Sequence, residues 1–323
     1  MQTENKTNNG RLLVLDVRNA AILSFDTEGN DLSTITDKAG VPDGIAVDSV
    51  KGHIYWTNMG AYHEGEHFPK NDGSIERINF DGSGHTTVIP KGATFTPKQM
   101  KIDIVNGFIY WSDREGMRVM RAKLNGADIT TLIQTGEGEE DRKDETRHCV
   151  GVAIDTVNGY LYWTQKGPAN GDKGRIFRAA LDIPANSDPR NRKDVELLFS
   201  ELPEPIDLEI DLLNANLYWT DRGDGNNGNT LNRASINKKA VGEHEILSSG
   251  LKEGIGLSVD AENDTVYFTD LMGHIYSTTL DGFHRQDLYT GVRSFTGIFY
   301  VPDGLNTGIQ HNGVNVALTF NNL

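Results

Sequence analysis

Apolar residues in this chain are grouped into short runs, separated by polar stretches rich in Gly, Asn and Asp. Runs of this length are typical of β-strands, and the intervening residues are those that favour turns. One type of run recurs with little change. Its copies are HIYWTN at 53–58, FIYWSD at 108–113, YLYWTQ at 160–165, NLYWTD at 216–221 and TVYFTD at 265–270. The recurrence indicates an internal repeat.

The repeat has a regular period. The tyrosines of the five phrases are Tyr55, Tyr110, Tyr162, Tyr218 and Tyr267, at intervals of 55, 52, 56 and 49 residues. Seven residues before each tyrosine stands an aspartate: Asp48, Asp103, Asp155, Asp211 and Asp260. Each unit contains four segments of strand length, and four strands per unit of about 50 residues predict the blade of an all-β propeller.

The two ends of the chain complete the count of blades. Residues 11–36 match the second, third and fourth strands of a unit, and 296–301 match a first strand with no unit after it. Joining them predicts a sixth blade built from both termini, which leaves no exposed sheet edge between the ends. The alternative for such repeats is an open solenoid, against which the divided unit argues.

The phrases IYWTN, IYWSD, LYWTQ, LYWTD and VYFTD resemble the YWTD repeats of low-density-lipoprotein-receptor-type six-bladed propellers. The resemblance covers residues 11–301. Tyr and Trp alternate faces along a strand, so each is expected to pack against a neighbouring blade. The polar fourth position of these phrases is expected to hydrogen-bond across blades. The phrases are therefore scaffold, and the fold they imply does not fix a function.

The composition limits the size of the domain, the classes of partner and the cellular compartment that we expect. The 323 residues are 37% hydrophobic, enough for one large domain, and carry a net charge of −15. That charge argues against binding nucleic acid or an anionic membrane surface. We expect residues 1–10 to be a disordered leader and 11–301 a single propeller, with 302–323 as a tail that could add a strand. The polar start and the single cysteine, Cys149, favour a cytoplasmic protein.

One face of the propeller is predicted to carry the function. The loops 57–73, 134–149, 164–174 and 221–229 are long and unequal and should open on the same side, whereas the opposite turns are short and uniform. Binding sites are commonly formed by such loops on a rigid scaffold.

The register of the repeats places a few polar residues at this mouth of the central channel. Most blades carry glycine four residues before the fixed aspartate position, but Gln99 and Asp207 replace it in two blades. One position earlier stand Asp43 and Lys98, with apolar residues in most other blades. A few convergent polar groups among apolar neighbours predict a binding site. The alternative is a structural ion pair between Asp43 and Lys98.

The loop at 59–73 contains His63-Glu64-Gly65-Glu66-His67, which matches the H-E-x-x-H zinc motif in letters. That motif requires a helix, and a central glycine and a strand-to-strand context argue against one. We therefore expect no metal site here. The loop could instead close over the channel as a lid, or remain an exposed surface loop. The residues available for a lid are Tyr62, His63, His67 and Phe68.

In overall format the chain is similar to fungal propeller proteins that act as hetero-Diels–Alderases in sesquiterpenoid tropolone biosynthesis. The resemblance implies that a hydroxymethyl tropolone loses water and that a humulene-type alkene adds to the quinone methide, without a cofactor. Candidates for acid–base work are Asp43, Lys98, Asp207, His63 and His67. Candidates for substrate contact are Tyr62, Phe68, Gln99, Met100, His148, Val150, Ile255 and Phe295.

Two other classes of function stay open. Receptor-type propellers are protein-binding modules, and other six-bladed propellers are calcium-dependent lactonases. A binding module should expose an apolar patch, whereas an enzyme should enclose titratable groups with shifted pKa values. Asp43, Gln99 and Asp207 make a small ligand set for calcium, which takes six to eight oxygens. We expect a small apolar molecule as the partner, and the sequence leaves the oligomeric state open.

Overall fold

The computed structural model describes residues 10–62, 68–225, 227–236 and 244–303. These residues form six sheets of four antiparallel strands each, arranged as the blades of a propeller. The prediction of a six-bladed all-β fold is confirmed. Residues 1–9 of the expected leader (1–10) and 304–323 of the expected tail (302–323) lie outside the described residues.

We count the closing blade as the first blade and the blade that follows it in the chain as the second. Their strands in chain order are β1 (Arg11–Asp16), β2 (Ala21–Asp26), β3 (Ser33–Thr36), β4 (Pro42–Asp48), β5 (His53–Asn58), β6 (Gly73–Asn79) and β7 (Thr86–Thr94). The third blade contains β8 (Pro97–Asp103), β9 (Phe108–Asp113), β10 (Arg118–Lys123) and β11 (Thr130–Gln134). A short helix α1 (Gly138–Arg142) and a 3₁₀ turn (Glu145–Arg147) follow.

The remaining three blades follow the same order. Their strands are β12 (Cys149–Asp155), β13 (Tyr160–Gln165), β14 (Gly174–Ala180), β15 (Glu196–Leu202), β16 (Glu204–Asp211), β17 (Asn216–Arg222), β18 (Thr230–Ser235), β19 (Glu245–Ser248), β20 (Gly254–Asp260), β21 (Thr265–Asp270), β22 (His274–Thr278) and β23 (Gln286–Thr290). The last strand, β24 (Phe295–Val301), pairs with β1, so the closing blade is built from both ends of the described chain. The inner strands around the axis are therefore β4, β8, β12, β16, β20 and β24.

The tyrosine and tryptophan of each phrase pack on opposite sides of their blade. Tyr55 belongs to the apolar core between the second and third blades, whereas Trp56 belongs to the core between the first and second. Tyr110 and Trp111 repeat this division one blade later. All four side chains are at most 1% exposed, so the phrase supplies much of the apolar burial that stabilises each interface.

The fixed aspartate ends the inner strand and shapes the next turn. Asp103 accepts hydrogen bonds from the backbone amide and the side-chain amide of Asn106, at 2.9 and 2.7 Å. Asp155 makes the same two bonds to Asn158. A carboxylate that satisfies a turn amide fixes the reversal between the first and second strands.

The inner strands approach one another closely. A Cβ atom at Gly44 would lie 2.5 Å from the carbonyl oxygen of Lys98 on the next inner strand, which explains the glycine. The threonine of each phrase bonds in this crowded ring. Thr220 Oγ1 accepts from the amide of Asp207 in its own blade at 3.3 Å and donates to the carbonyl of Ile255 in the next at 2.6 Å. The predicted cross-blade hydrogen bond of the fourth position is confirmed.

No helix among the described residues has the length and apolar character required to cross a membrane.

The Thr220→Val substitution tests the cross-blade hydroxyl. Valine keeps the shape of the side chain but leaves the Asp207 amide and the Ile255 carbonyl without this buried partner. We expect the free energy of unfolding to fall by about 1–3 kcal/mol, as measured by denaturant titration. Thr86→Val on the exposed part of β7 is the matched control and should change it by less than about 0.5 kcal/mol. Equal effects of the two substitutions would contradict the assigned role.

Candidate functional site

Four long connections lie on one face of the propeller, which we call the mouth face. They are the connections between β5 and β6, between β11 and β12, between β13 and β14 and between β17 and β18. The chain reverses at each strand, so all of these leave the sheets on the same side. The turns after β4, β8, β12 and β16 on the opposite face contain four residues each. The expectation of uniformly short turns on that face is met only in part, because the connection between β14 and β15 at 181–195 lies there and is longer than any connection on the mouth face.

Asp43 and Lys98 meet at the mouth face. Lys98 Nζ lies 2.8 Å from Asp43 Oδ1 and 3.0 Å from Met59 Sδ. Gln99 joins them, because its amide nitrogen donates to Asp43 Oδ2 at 3.2 Å. The two side chains of the ion pair are 12% and 3% exposed. Burial lowers the pKa of Lys98 below its usual value and the nearby Arg114 adds to this, although Asp43 acts in the opposite direction. A lysine of this kind is suited to give up its proton in a reaction.

Arg114 and Glu115 extend this group and were missed in the sequence. Both follow β9, and both are less than 10% exposed. Arg114 Nη2 lies 2.6 Å from Glu115 Oε1. Burial acts to raise the pKa of Glu115, but the charge and hydrogen bond of Arg114, together with Thr96 and His148, outweigh it and the net shift is downward. Glu115 is therefore a buried carboxylate at neutral pH.

A signal for Arg114 is present in the repeat. The residue directly after the phrase is a cation in three consecutive blades, at Arg114, Lys166 and Arg222. Each has an acidic partner. Lys166 Nζ lies 3.5 Å from Glu204 Oε2, and Arg222 Nε lies 2.7 Å from Glu253 Oε2. A register aligned on the residue after the phrase would have predicted a charged arc on this face.

His148 lies beside Glu115, just before β12. It is 7% exposed, and its Nε2 lies 2.9 Å from the backbone oxygen of Arg142 in α1. Burial lowers the pKa of His148, with the positive charges of Arg114 and Lys166 adding to this and Glu115 opposing it. We call Asp43, Lys98, Arg114, Glu115 and His148 the mouth cluster.

Phe68 covers part of the mouth cluster. The guanidinium carbon of Arg114 lies 5.4 Å from the centre of the Phe68 ring, within the range of a cation–π interaction. Phe68 is 5% exposed and contacts the ring of Tyr62, which is 56% exposed. Of the four proposed lid residues, Phe68 thus lies against the mouth cluster and Tyr62 packs on its ring. His63 and His67 lie outside the described residues.

The apolar candidates divide into two groups. Val150 and Ile255 form a small buried cluster with Ile206, at the equivalent position of three inner strands. Met100 and Phe295 instead lie in the cores between blades and are fully buried there. Because β8 changes register between Pro97 and Met100, the Met100 side chain faces the blade interface. We therefore do not include Met100 and Phe295 in the site.

Asp207 does not join the mouth cluster. Its carboxylate accepts hydrogen bonds from the amides of Leu208 and Leu257, at 2.8 and 3.1 Å. Its cationic partner is Lys101, whose Nζ lies 3.6 Å from Asp207 Oδ1 and 2.8 Å from Glu209 Oε2. Burial raises the pKa of Asp207 to about 6, although the Lys101 charge opposes this. Lys101 thus crosses from the third blade to the fifth and links them electrostatically near the axis.

Two other features of the sequence, the single thiol and a possible metal site, do not contribute to the mouth cluster. Cys149 is fully buried, and burial raises the pKa of its thiol to about 12, so this side chain serves as a packing residue. Within the described ranges, no group of three or more His, Cys, Asp and Glu side chains is arranged to hold a metal ion. Asp43, Gln99 and Asp207 do not converge as a calcium ligand set, because Gln99 bonds to Asp43 and Asp207 faces Lys101.

A separate cleft of about 310 Å³ lies away from the mouth cluster. Its residues are Lys38, Asn58, Glu76, His85, Thr86 and Thr87. Glu76 accepts hydrogen bonds from Ser74 and Thr87 and contacts His85, so its oxygens already have partners. Glu76 therefore has little hydrogen-bonding capacity left for a ligand in this cleft.

The Lys101→Met substitution tests the link near the axis. It leaves Asp207 and Glu209 without their cation, and we expect about 3–5 kcal/mol lower unfolding free energy at pH 8. The folded-state pKa of Asp207 is raised, and it rises further without Lys101. Ionisation of this carboxyl therefore removes stability as the pH increases through that pKa, and the variant should lose less at pH 5 than at pH 8.

Denaturant titrations at the two pH values measure this difference. Lys123→Met is the matched control in the same blade, because the Lys123–Asp128 ion pair is exposed and should contribute about 1 kcal/mol or less. A Lys101→Met variant whose loss is the same at pH 5 and pH 8 would refute the assigned titration.

Comparison with known proteins gives relatives of high similarity. A Pyricularia oryzae protein named low-density lipoprotein receptor-related protein 1 is 42% identical over 311 residues, which cover 90% of this chain and 98% of that protein. A Cochliobolus heterostrophus protein named 3-hydroxyacyl-CoA dehydrogenase-like protein LAM1 is 36% identical over 309 residues, 89% of this chain. The match spans 64% of the length of LAM1. No family model matches the sequence.

Solved structures support the architecture. A chain in the crystal structure of a nidogen/laminin complex superposes with a TM-score of 0.69 at 22% identity, covering 90% of this chain and 98% of that one. A gluconolactonase from Xanthomonas campestris superposes with a TM-score of 0.59 at 12% identity, covering 88% and 84%. At these identities the likeness shows the fold alone. The phrases, the six blades and the 42% identical relative together show that the chain belongs to the low-density lipoprotein receptor-related, YWTD-type family of propellers.

Proposed function

We propose that this propeller is a small-molecule enzyme whose site is the mouth cluster. The observation that carries the proposal is the concentration of buried ionisable groups at one end of the channel: Asp43, Lys98, Arg114, Glu115 and His148. Several have shifted pKa values, and such clusters are characteristic of functional sites. An aromatic side chain, Phe68, covers the cluster on the solvent side.

The reaction we propose is a hetero-Diels–Alder addition that follows loss of water. A hydroxymethyl tropolone would lose the proton of its ring hydroxyl group and the hydroxyl of its hydroxymethyl group, which leaves a quinone methide and one molecule of water. The alkene of a humulene-type terpene would then add across the quinone methide and form two bonds. The first step needs an acid that protonates the departing hydroxyl, and the second depends mainly on how the two reactants are oriented.

The described residues fit these two requirements. The Lys98 ammonium group, with its lowered pKa, would donate the proton, and Asp43 would hold it in place at 2.8 Å. Val150, Ile206 and Ile255 present an apolar surface at the equivalent level of three other inner strands, where a hydrocarbon could lie. This division of polar and apolar groups supports a substrate pair with one oxygenated ring and one hydrocarbon.

A protein-binding function is the second candidate. It is supported by a relative named as a receptor-related protein. The exposed Met272 and Val292, at 61% and 82%, also lie in loops of the mouth face. A lactonase function receives no comparable support, because the likeness to the gluconolactonase is one of fold.

The Lys98→Met substitution tests the proposed acid. The purified protein would be incubated with a hydroxymethyl tropolone and humulene, and the adduct would be measured by liquid chromatography with mass spectrometry. We expect the rate to fall by about 10²–10⁴, the usual contribution of a general acid. Lys143→Met is the matched control, since Lys143 is an exposed lysine in the loop before β12. An unchanged rate and product profile after replacing Asp43, Lys98 and Asp207 together would exclude this reaction mechanism.

Phe68→Ala tests the cover over the cluster. Removing the ring opens the Arg114 side to water, and water that adds to the quinone methide regenerates the starting alcohol. We expect the yield of adduct per reaction time to fall by about tenfold, while Phe68→Leu should retain most of it. The two variants would be compared by product analysis in ¹⁸O-labelled water, where the label in recovered alcohol reports the side reaction. Equal labelling in Phe68→Ala and the unsubstituted protein would argue against a covering role.

A further inference from the structure

His148 is held in one tautomer by its surroundings. Its Nε2 lies 2.9 Å from the backbone oxygen of Arg142, and a carbonyl oxygen can only accept a hydrogen bond. Nε2 therefore carries the proton. The ring is buried next to two cations, which keeps it neutral near pH 7. A neutral imidazole with a proton on Nε2 has an unprotonated Nδ1 with a free electron pair.

The Nδ1 atom has no hydrogen-bond partner among the described residues. It is also not one of their fully buried polar atoms without partners, so some of its surface remains accessible. The acceptor is thus open to a ligand, whereas the donor on the other side of the ring is used by the protein. This arrangement resembles that of a base oriented by a second group.

Three charged groups around the imidazole ring affect its charge and the charge of a bound ligand. Glu115 from the loop after β9 stabilises a positive charge on the imidazole. Arg114 from the same loop and Lys166 from the end of β13 disfavour it, and they would stabilise an anion placed next to the ring. A group that loses its proton to Nδ1 would therefore be stabilised by two cations at the moment it becomes negative.

We infer that His148 Nδ1 accepts the hydrogen bond of an acidic hydroxyl group on the substrate, such as an enol, and takes its proton. This inference rests on the proposed function, because it names the base that acts with Lys98. The O–H bond breaks, an N–H bond forms on Nδ1, and the oxygen keeps the electron pair. That pair forms a carbonyl group as the hydroxymethyl C–O bond breaks. The leaving hydroxyl takes a proton from Lys98 and departs as water, and the imidazolium returns a proton to Lys98 through solvent.

The tautomer can be observed without any assay of activity. Nitrogen-15 NMR of the protein labelled at histidine distinguishes protonated from unprotonated ring nitrogens, and the signals missing in His148→Gln assign this residue. We expect His148 to show a protonated Nε2 and an unprotonated Nδ1 at pH 7. A proton on Nδ1 would overturn the inference, whether or not the protein forms the adduct.

The hydroxyl contact is tested with tropolone and its methyl ether, which lacks the acidic proton. We expect the unsubstituted protein to bind tropolone about tenfold more tightly than the ether in titration calorimetry, the value of one hydrogen bond of this kind. His148→Gln keeps a donor for the Arg142 carbonyl but removes the acceptor, so it should lose this preference. His148→Asn keeps an acceptor near the place of Nδ1, so it should keep part of the preference and lose turnover.

Several outcomes separate this inference from the proposed function. Equal binding of tropolone and the ether by the unsubstituted protein, or no binding of either, would overturn the role of His148. Adduct formation that continues unchanged in His148→Gln would also overturn it, while leaving the enzyme proposal in place. Conversely, the expected tautomer and binding preference without any adduct would support the His148 contact and contradict the Diels–Alder reaction. Thermal unfolding midpoints equal to that of the unsubstituted protein establish that both variants are folded.

Discussion

In four blades a side-chain hydroxyl joins the second strand to the inner strand of the next blade, and these bonds help to close six separate sheets into one ring. The threonine or serine of the repeated phrase supplies the hydroxyl. Thr164 accepts from the Gly151 amide in its own blade, and Thr269 donates to the carbonyl of Thr296 in the following blade. These bonds are buried next to the axis, where water cannot replace them. Losing one would therefore leave polar groups unsatisfied in two blades at once.

This constraint also explains which positions of the repeat can carry functional side chains. The phrase fixes the backbone of the inner strands, and the residues just before or after the fixed positions are free to differ between blades. Lys98 and Arg114 occupy such positions, at the start of an inner strand and directly after a phrase. The mouth cluster is thus an addition to a scaffold whose geometry does not depend on it. Asp207 shows the opposite use of the same freedom, because its carboxylate binds the amide of Leu257 in the neighbouring blade.

The fold was predictable because five copies of one phrase with a constant offset leave few architectures open. The same register predicted that Asp43 and Lys98 would meet, since they are at equivalent levels of adjacent inner strands. Arg114 occupies a position that the repeat marks with a cation, whereas Glu115 and His148 depend on the path of loops, which follows no period. His148 is brought next to Glu115 by the short helix and the 3₁₀ turn before it, and the charged sequence 136–149 did not predict these helical segments. Met100 was misplaced because β8 pairs irregularly after Pro97, an irregularity that β4, β12, β16 and β20 share at the same level.

The pairing of β24 with β1 has a consequence for how the protein is made. Arg11, among the first described residues to leave the ribosome, pairs with Val301, which is among the last. Five blades can form in order during synthesis, each on the core presented by the one before it. The closing blade stays incomplete until the end of synthesis. Its early strands β1, β2 and β3 can pair with one another, but the inner edge of β1 has no partner before β24 is made. The incomplete ring therefore exposes an unpaired strand edge, which could pair with another chain, throughout translation. Pairing of β24 with β1 removes this edge.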